Sequence, residues 1–425
     1  MNEADALRAA AVLESMGFHS VSDVREASLL LLNTCVVRQQ AEDKIYSRLT
    51  YVSQLKKKNP EMIVVLMGCL VGKNPRQLAM LQERFPFVDL FLPPSDLNPL
   101  LQYANERGWA PPADAPPLDE LLPPPLPDSM TGQTIVAHLP IVLGCSHACT
   151  YCVIPYRRGR EISRPSEEIL TEAQALITRG VKELILLGQI VDRYGLDREG
   201  EMRLPELLRQ VATLPGLERV RFLTSHPKWI TPELIEAVAS TPKLCPYFEI
   251  PVQAGSDAVL TDMRRGYSVA DYEALIDRVR TAVPGAGIST DIIVGFPGET
   301  ADQFNETMGL MRRINPDMIR IAKYSSRPLT YATRHLPDDV SDTEKERRRV
   351  ALEAQLRVLL TEKNAPLQGQ TVEVLVERIE KNGRRYGRTP DYKPVFIDGS
   401  EAAPGDLIQV RITWAGPFSL IAEAL

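Results

Sequence analysis

Apolar residues in the first hundred positions gather into short runs: "SLLLLNTC" (28–35), "MIVVLMGC" (62–69) and "VDLFL" (88–92). Runs of this length with few polar interruptions suit parallel strands covered on both faces. Between the first two, "RQQAEDKIYSRLTYVSQLKKKNP" has helical spacing and stops at Pro60. The pattern predicts a small α/β unit over residues 1–108. A proline-dense stretch follows, "PPADAPPLDELLPPPLP". Proline fixes φ and lacks an N–H, so this predicts an extended linker over 109–130 rather than packed structure.

Strand-like and helix-like segments alternate again from about residue 134. The strand candidates are "LPIVLGC", "KELILLG", "RVRFLTS", "YFEIPVQ", "ISTDIIVG" and "MIRIAKY". Six such units predict a partial (β/α)6 barrel over 131–365, closed by a charged helix at 341–364. In barrels of this kind the chemistry gathers at the C-terminal ends of the strands. Cys145, Gln189, Ser225–His226–Pro227, Gln253 and "GFPGE" (295–299) all fall at such ends. Residues 366–425 switch to five short strands with turns at "KNG", "DGS" and "APGD", which predicts a small all-β, OB-like barrel. The fold class expected is therefore α/β with a small all-β domain at the C-terminal end.

Composition narrows the function classes. The chain has 425 residues, 44% hydrophobic and 24% charged, with a net charge of −6. No apolar run reaches the roughly 20 residues of a membrane-spanning helix. The first residues lack the basic-then-apolar order of a signal peptide. A cytoplasmic protein without membrane contact is expected, and there cysteines stay reduced. Clustered thiols then point to metal rather than to disulfides. The negative charge argues against a globally nucleic-acid-binding surface but not against a local basic patch. Residues 378–393 form one, with Arg384, Arg385, Arg388 and Lys393 interleaved with Tyr386, Tyr392 and Phe396. Phosphate contact and base stacking need such a mixture; filling of the barrel interior is the other reading for the aromatic rings.

The densest chemistry is "GCSHACTYCVIPYRRGREISRP" (144–165). Cys145, Cys149 and Cys152 are spaced so that one loop can wrap three thiolates around one centre. Structural zinc normally takes four ligands, so a zinc site would need His147 or His138 as well. A 4Fe–4S cluster with three protein thiolates keeps one iron open for another ligand. "RRGR" follows directly, and Arg157 and Arg158 are candidates for meeting RNA phosphates.

This loop resembles that of radical S-adenosylmethionine enzymes, and more narrowly that of the methylthiotransferases that modify tRNA. The likeness extends through "NTCVVRQQAEDK", "LLGQIVDRYG", "RFLTSHP", "PVQAGSD", "DIIVGFPGET", "YSSRPLTYA" and "GRTPDYKPVFIDG", in the family's order. The resemblance implies a catalytic 4Fe–4S cluster on Cys145, Cys149 and Cys152 that chelates S-adenosylmethionine and cleaves it to a 5′-deoxyadenosyl radical. It implies cofactor contacts from Arg164, Gln189, Gln253, Gly295 and Gly298. Arg164 would pair with the methionine carboxylate, with a salt bridge as the plain alternative. The C-terminal domain is similar to the TRAM module, which binds RNA. The implied partners are tRNA, through its anticodon stem-loop, and an electron donor such as flavodoxin; a monomer is expected.

Cys35 and Cys69 end two strands of the first domain, and parallel strands end at one edge. In the family such cysteines hold an auxiliary 4Fe–4S cluster, the site of sulfur delivery, together with a third in a Gly-Cys-x-Met-Asn segment. Aligned on Met1–Asn2, that third cysteine would fall ahead of this sequence. Three readings stay open: a start assigned too late, a lost ligand, or two ordinary core cysteines. On the second the auxiliary cluster is weak, and the iron count separates about eight per chain from about four. Cys245 is read as structural. Within the family the motifs look most like the branch acting on isopentenylated adenosine beside the anticodon, although that branch usually has Asn at position 190 and often at 192. The other substrates are threonylcarbamoyladenosine and a ribosomal-protein aspartate. A degenerate, non-catalytic RNA-binding iron–sulfur protein is the reading from another class.

Overall fold

The strand β2, Ile63–Gly68, shows why the first apolar runs are uninterrupted. Val64 and Leu66 pack into one cluster with Leu49, Val52 and Phe91, while Val65 and Met67 pack into another with Val12, Leu92 and Leu100. Successive side chains point to opposite faces, and both faces are covered, so no position is left for a polar residue. In the computed structural model, which describes residues 1–37, 39–109 and 126–425, β2 lies between β1 (Leu29–Thr34) and β3 (Leu90–Leu92) in a parallel sheet. Helices α1 (Asn2–Ser15), α2 (Gln39–Lys58), α3 (Pro75–Arg84) and α4 (Asn98–Glu106) cover it. The Asn74 side chain caps α3 by accepting from the N–H groups of Arg76 and Gln77. Most of the expected linker, residues 110–125, lies outside the described residues.

The second unit has six parallel strands: β4 (Val136–Pro140), β7 (Glu183–Leu187), β8 (Arg219–Leu223), β9 (Tyr247–Glu249), β10 (Gly287–Val294) and β11 (Met318–Lys323). Between β4 and β7 lie β5 (Val142–Leu143), α5 (Ile154–Arg158), β6 (Ile162–Ser163) and α6 (Ser166–Thr178). The remaining helices are α7 (Leu204–Ala212), α8 (Pro232–Ser240), α9 (Asp257–Asp262), α10 (Val269–Ala282), α11 (Ala301–Ile314) and α12 (Tyr331–His335). A bridge between Val220 and Leu244 joins the β4–β7–β8 and β9–β10–β11 sheets. The partial barrel expected from the sequence is what forms. Its first strand begins earlier than "LPIVLGC": it covers "VAHLP" and ends at Pro140, which has no N–H to extend the ladder. The chain then makes the short β5–β6 ribbon.

The long helix α13, Asp342–Asn364, reads as charged throughout, yet Leu352, Leu356 and Leu360 recur every four residues and are buried in the main core. Strands β12 (Thr371–Ile379), β13 (Arg385–Arg388), β14 (Pro394–Asp398), β15 (Leu407–Ala415) and β16 (Leu420–Ala424) close a barrel in the order β12-β13-β14-β16-β15. Alternate residues fill it, among them Val374, Val376, Val395, Ile397, Val410 and Ile412.

This small barrel sits on the N-terminal ends of the core strands. Arg219 and Arg221 of β8 donate to the carbonyls of Arg388 and Pro390, and Arg219 also pairs with Glu373. Lys393 pairs at 2.7 Å with Asp317, just before β11, and Asp317 pairs with Lys363 as well. Burial pushes the Asp317 carboxyl up, but the two ammonium groups outweigh it and hold the group below its ordinary range. The base of the core is thus plugged by the C-terminal domain, which leaves the opposite rim, where the first domain packs, for the chemistry.

Candidate metal centre and cofactor pocket

The loop carrying Cys145, Cys149 and Cys152 springs from that opposite rim. Gly144 starts it with φ +68°, and a Cβ there would collide with the Arg160 carbonyl, so the turn requires glycine. The Cys145 N–H donates to the Gly159 carbonyl, and the Cys152 N–H to the Cys149 carbonyl. Cys145 and Cys152 pack with Ile154, Ile190 and Trp229. Burial pushes the Cys145 thiol up to about 11 and the Cys152 thiol up to about 12, with the neighbouring Cys149 adding to both. Loading a metal therefore releases protons from these groups.

Two observations test which group fits. Among the described residues no three His, Cys, Asp or Glu side chains converge on one metal ion. His138 turns away to Glu3 at 3.2 Å. A donor set of three thiolates fits a 4Fe–4S cluster, which keeps one iron open, better than structural zinc, which takes four ligands. Around the loop, the side-chain atoms Ser225 Oγ, His226 Nε2, Trp229 Nε1 and His147 Nε2 are buried without a hydrogen-bond partner. Buried polar atoms left unmatched together mark the place of a polar ligand. S-adenosylmethionine, with its ammonium, carboxylate, ribose and adenine, fits that demand.

The imidazoles of His147 and His226 meet edge to face at 4.5 Å. Burial, then the charge of Arg265, pushes both down, His147 to about 4, so both rings are neutral. The backbone is strained at the same rim. Thr224 after β8 (φ +72°) and Gln253 after β9 (φ +79°) are both left-handed without being glycine. Such conformations cost about 1–3 kcal/mol each and cluster at functional sites. Asp192 accepts the His226 N–H at 3.0 Å, and burial pushes its carboxyl up to about 7.

The other residues singled out from the sequence fare differently. Gln189 is half-buried after β7, and Gln253 is buried at the rim. Arg164 is not free to meet a carboxylate ligand: it donates to the Pro140 carbonyl at 2.8 Å and pairs with Glu172 at 2.7 Å. The N–H of Gly295 donates to Glu299, itself paired with Arg348, and the N–H of Gly298 donates to Asp339. These glycines serve the turn and leave neither N–H for a cofactor. Arg157 and Arg158 are 6% and 3% exposed, not solvated beside RNA. Helix α5 tucks them under the first domain, where Arg158 pairs with Asp5 and Arg157 reaches the Leu70 carbonyl. Arg388 pairs with Glu377 and Lys393 with Asp317, so both belong to the packing at the base of the core; Arg384, paired with Asp398, lies at the surface. Arg385 donates to the Ala402 carbonyl. Nothing in the sequence singles out Arg265 or Trp229, and Asp192 stands out only as a departure from the branch's usual Asn. "SHP" marks a strand end within a family motif, and "MRRGY" carries no spacing signal.

Thr34 and Gly68 are register partners at the ends of β1 and β2, so Cys35 and Cys69 lie side by side at one edge. Burial pushes the Cys69 thiol up, while Arg158 acts against this. Both are free thiols, presented together at that edge.

Fold and site define a class that the family comparisons share. The radical SAM superfamily pattern matches residues 139–311, the TRAM domain pattern 367–425, and an uncharacterized protein family, UPF0004, residues 1–92. The solved methyltransferase TsrM from Kitasatospora setae, a radical S-adenosylmethionine enzyme, shares the fold at TM-score 0.54 and 16% identity, over 76% of this chain and 68% of its own. A relative from Roseiflexus sp. named tRNA-2-methylthio-N(6)-dimethylallyladenosine synthase is 44% identical over 99% of this chain and 86% of its own length. One of the same name from Dehalococcoides mccartyi is 42% identical over 100% and 96%. The chain belongs to the family of the tRNA-2-methylthio-N(6)-dimethylallyladenosine synthases, radical S-adenosylmethionine enzymes that use 4Fe–4S clusters.

Proposed function

We propose that this chain adds a methylthio group to C2 of N6-isopentenyladenosine next to the tRNA anticodon. The observation that carries the reading is the full-length likeness to synthases of that name. The intact three-cysteine loop and the unmatched polar atoms around it support it. Cys145, Cys149 and Cys152 hold the cluster, which when bound supplies the electron that cleaves S-adenosylmethionine. The residues around it bind and orient. Neutral His147 and His226 offer hydrogen bonds without adding charge beside a sulfonium. Trp229, under the guanidinium of Arg193 at 4.3 Å, walls the site. Gln189 and Gln253 present amides at the rim for an adenine edge. A target base reaches this rim only when splayed from its stack.

The domains we assign are 1–108 for the first unit with Cys35 and Cys69, 109–130 for the linker, 131–365 for the radical core and 366–425 for RNA binding. Arg384 and Arg385 remain the RNA candidates of the basic patch. An electron donor such as flavodoxin, a monomeric state and a cytoplasmic location complete the reading; no helix among the described residues is long and apolar enough to cross a membrane. Mass spectrometry of tRNA nucleosides from a deletion strain expressing this chain tests it. The methylthio-isopentenyl nucleoside is expected. Its absence, with a methylthio-threonylcarbamoyl nucleoside in its place, would move the substrate, and no methylthio nucleoside together with no 5′-deoxyadenosine formed in vitro would sink the reaction class.

A further inference from the structure

The turn after α9 carries Arg265, which is 5% exposed. Every nitrogen of its guanidinium is engaged. Nη1 donates to the Cys149 Sγ at 3.2 Å, Nη2 to the Pro251 carbonyl at 3.0 Å, and Nε to the Tyr267 hydroxyl at 3.0 Å. The Tyr267 hydroxyl donates in turn to the Val252 carbonyl at 2.8 Å. The cysteine loop is stitched to the same turn next to Cys149: Thr150 donates its N–H to the Met263 carbonyl and its hydroxyl to the Asp262 carbonyl.

A guanidinium is permanently charged, and a buried charge needs a counter-charge. The groups acting on Arg265 are Tyr151, Tyr267 and Cys149, and no carboxylate among the described residues forms an ion pair with it. Both tyrosines are held neutral by burial. The one group there that becomes anionic on loading is Cys149. We infer that Arg265 is a positioning residue for the three-thiolate centre: it fixes the Cys149 sulfur and, by donating to it, favours the reduced over the oxidised cluster. Hydrogen bonds to ligand sulfurs and local charge are the protein's means of setting such potentials. Reduction adds one negative charge to the centre, and a fixed cation at 3.2 Å from one ligand stabilises the more negative state.

The inference rests on the proposed cluster site, so the test begins there. The chain carrying Cys35→Ala and Cys69→Ala, which leaves the core centre as the reporter, is reconstituted with iron and sulfide without oxygen. It is then titrated with dithionite and redox mediators while the reduced cluster is followed by electron paramagnetic resonance. No cluster signal in this parent overturns the site assignment itself, whatever Arg265 does. With a signal, Arg265→Lys and Arg265→Gln are compared with the parent. The expected result is about a tenfold lower equilibrium constant for one-electron reduction in Arg265→Gln, about 59 mV more negative, with Arg265→Lys in between. A parent-like potential in either loaded variant overturns the inference. Loss of iron with unchanged thermal unfolding of the apoprotein supports the fixing of Cys149. Loss of iron together with a lowered unfolding temperature overturns it, because Arg265 is then a general packing residue.

Discussion

Replacing Asp192 by asparagine should stabilise the chain, increasingly so as the pH rises. The carboxyl sits beneath the rim, where the His226 N–H donates to its oxygens and its own backbone N–H adds to this. Burial outweighs these two backbone bonds and the nearby Arg193, lifting the group from an ordinary 3.8 to about 7. A carboxyl raised in the folded state binds its proton more tightly folded than unfolded. Folding therefore loses stability as the pH climbs from the unfolded value through the folded one, and the loss is complete above it. At about 1.36 kcal/mol per unit, the loss is roughly 2 kcal/mol near pH 5 and about 4 kcal/mol near pH 8. Water reaching the part of Asp192 that remains exposed makes these figures ceilings. Asparagine keeps the acceptor for the His226 N–H and carries no charge. Reduced, iron-free parent and Asp192→Asn are unfolded in urea from about pH 5 to 8.5, with the core followed by tryptophan fluorescence. The variant's advantage should grow across this range and level off at its top. An advantage independent of pH would refute the titration of Asp192, and a variant less stable at every pH would show that the carboxylate is needed ionised.

Three further outcomes follow from the same geometry. Gly144→Ala drives a Cβ against the Arg160 carbonyl at φ +68° and should abolish iron loading at the core centre, read by iron count against a Cys245→Ala control that keeps it. Lys393→Ala leaves Asp317 with Lys363 and the Ile288 N–H and should cost about 1.5–3 kcal/mol, seen as faster proteolysis between the core and the C-terminal barrel. The same variant should leave the salt dependence of RNA affinity unchanged, whereas Arg384→Ala should reduce its slope by about one.

Much of the architecture was legible because its signal is local. Two-sided burial makes β2 a continuous apolar run, and the strand ends then put Cys35 beside Cys69 and the cysteine loop at the rim. What stayed hidden depends on contacts between distant parts. Arg157 and Arg158 look like a basic loop until α5 is seen beneath the first domain. Lys393 reads as a phosphate contact until Asp317, far away in sequence, is found opposite it. Gly295 and Gly298 advertise an open backbone, yet Glu299 and Asp339 already occupy their N–H groups. Arg265 was invisible because a single arginine in a turn has no periodicity or spacing to betray it.

The plug at the base of the core bears on how the chain matures. β4, Val136–Pro140, leaves the ribosome long before residues 388–393, which supply the carbonyls for Arg219 and Arg221 and the ammonium for Asp317. Domains fold largely as units while they are synthesised. The nascent core therefore passes through an interval with its cysteine rim formed and its floor uncovered, two arginines and an aspartate still facing water. Iron delivery before that floor closes meets a softer scaffold than delivery after it, so the order of loading and translation is built into the position of one short loop.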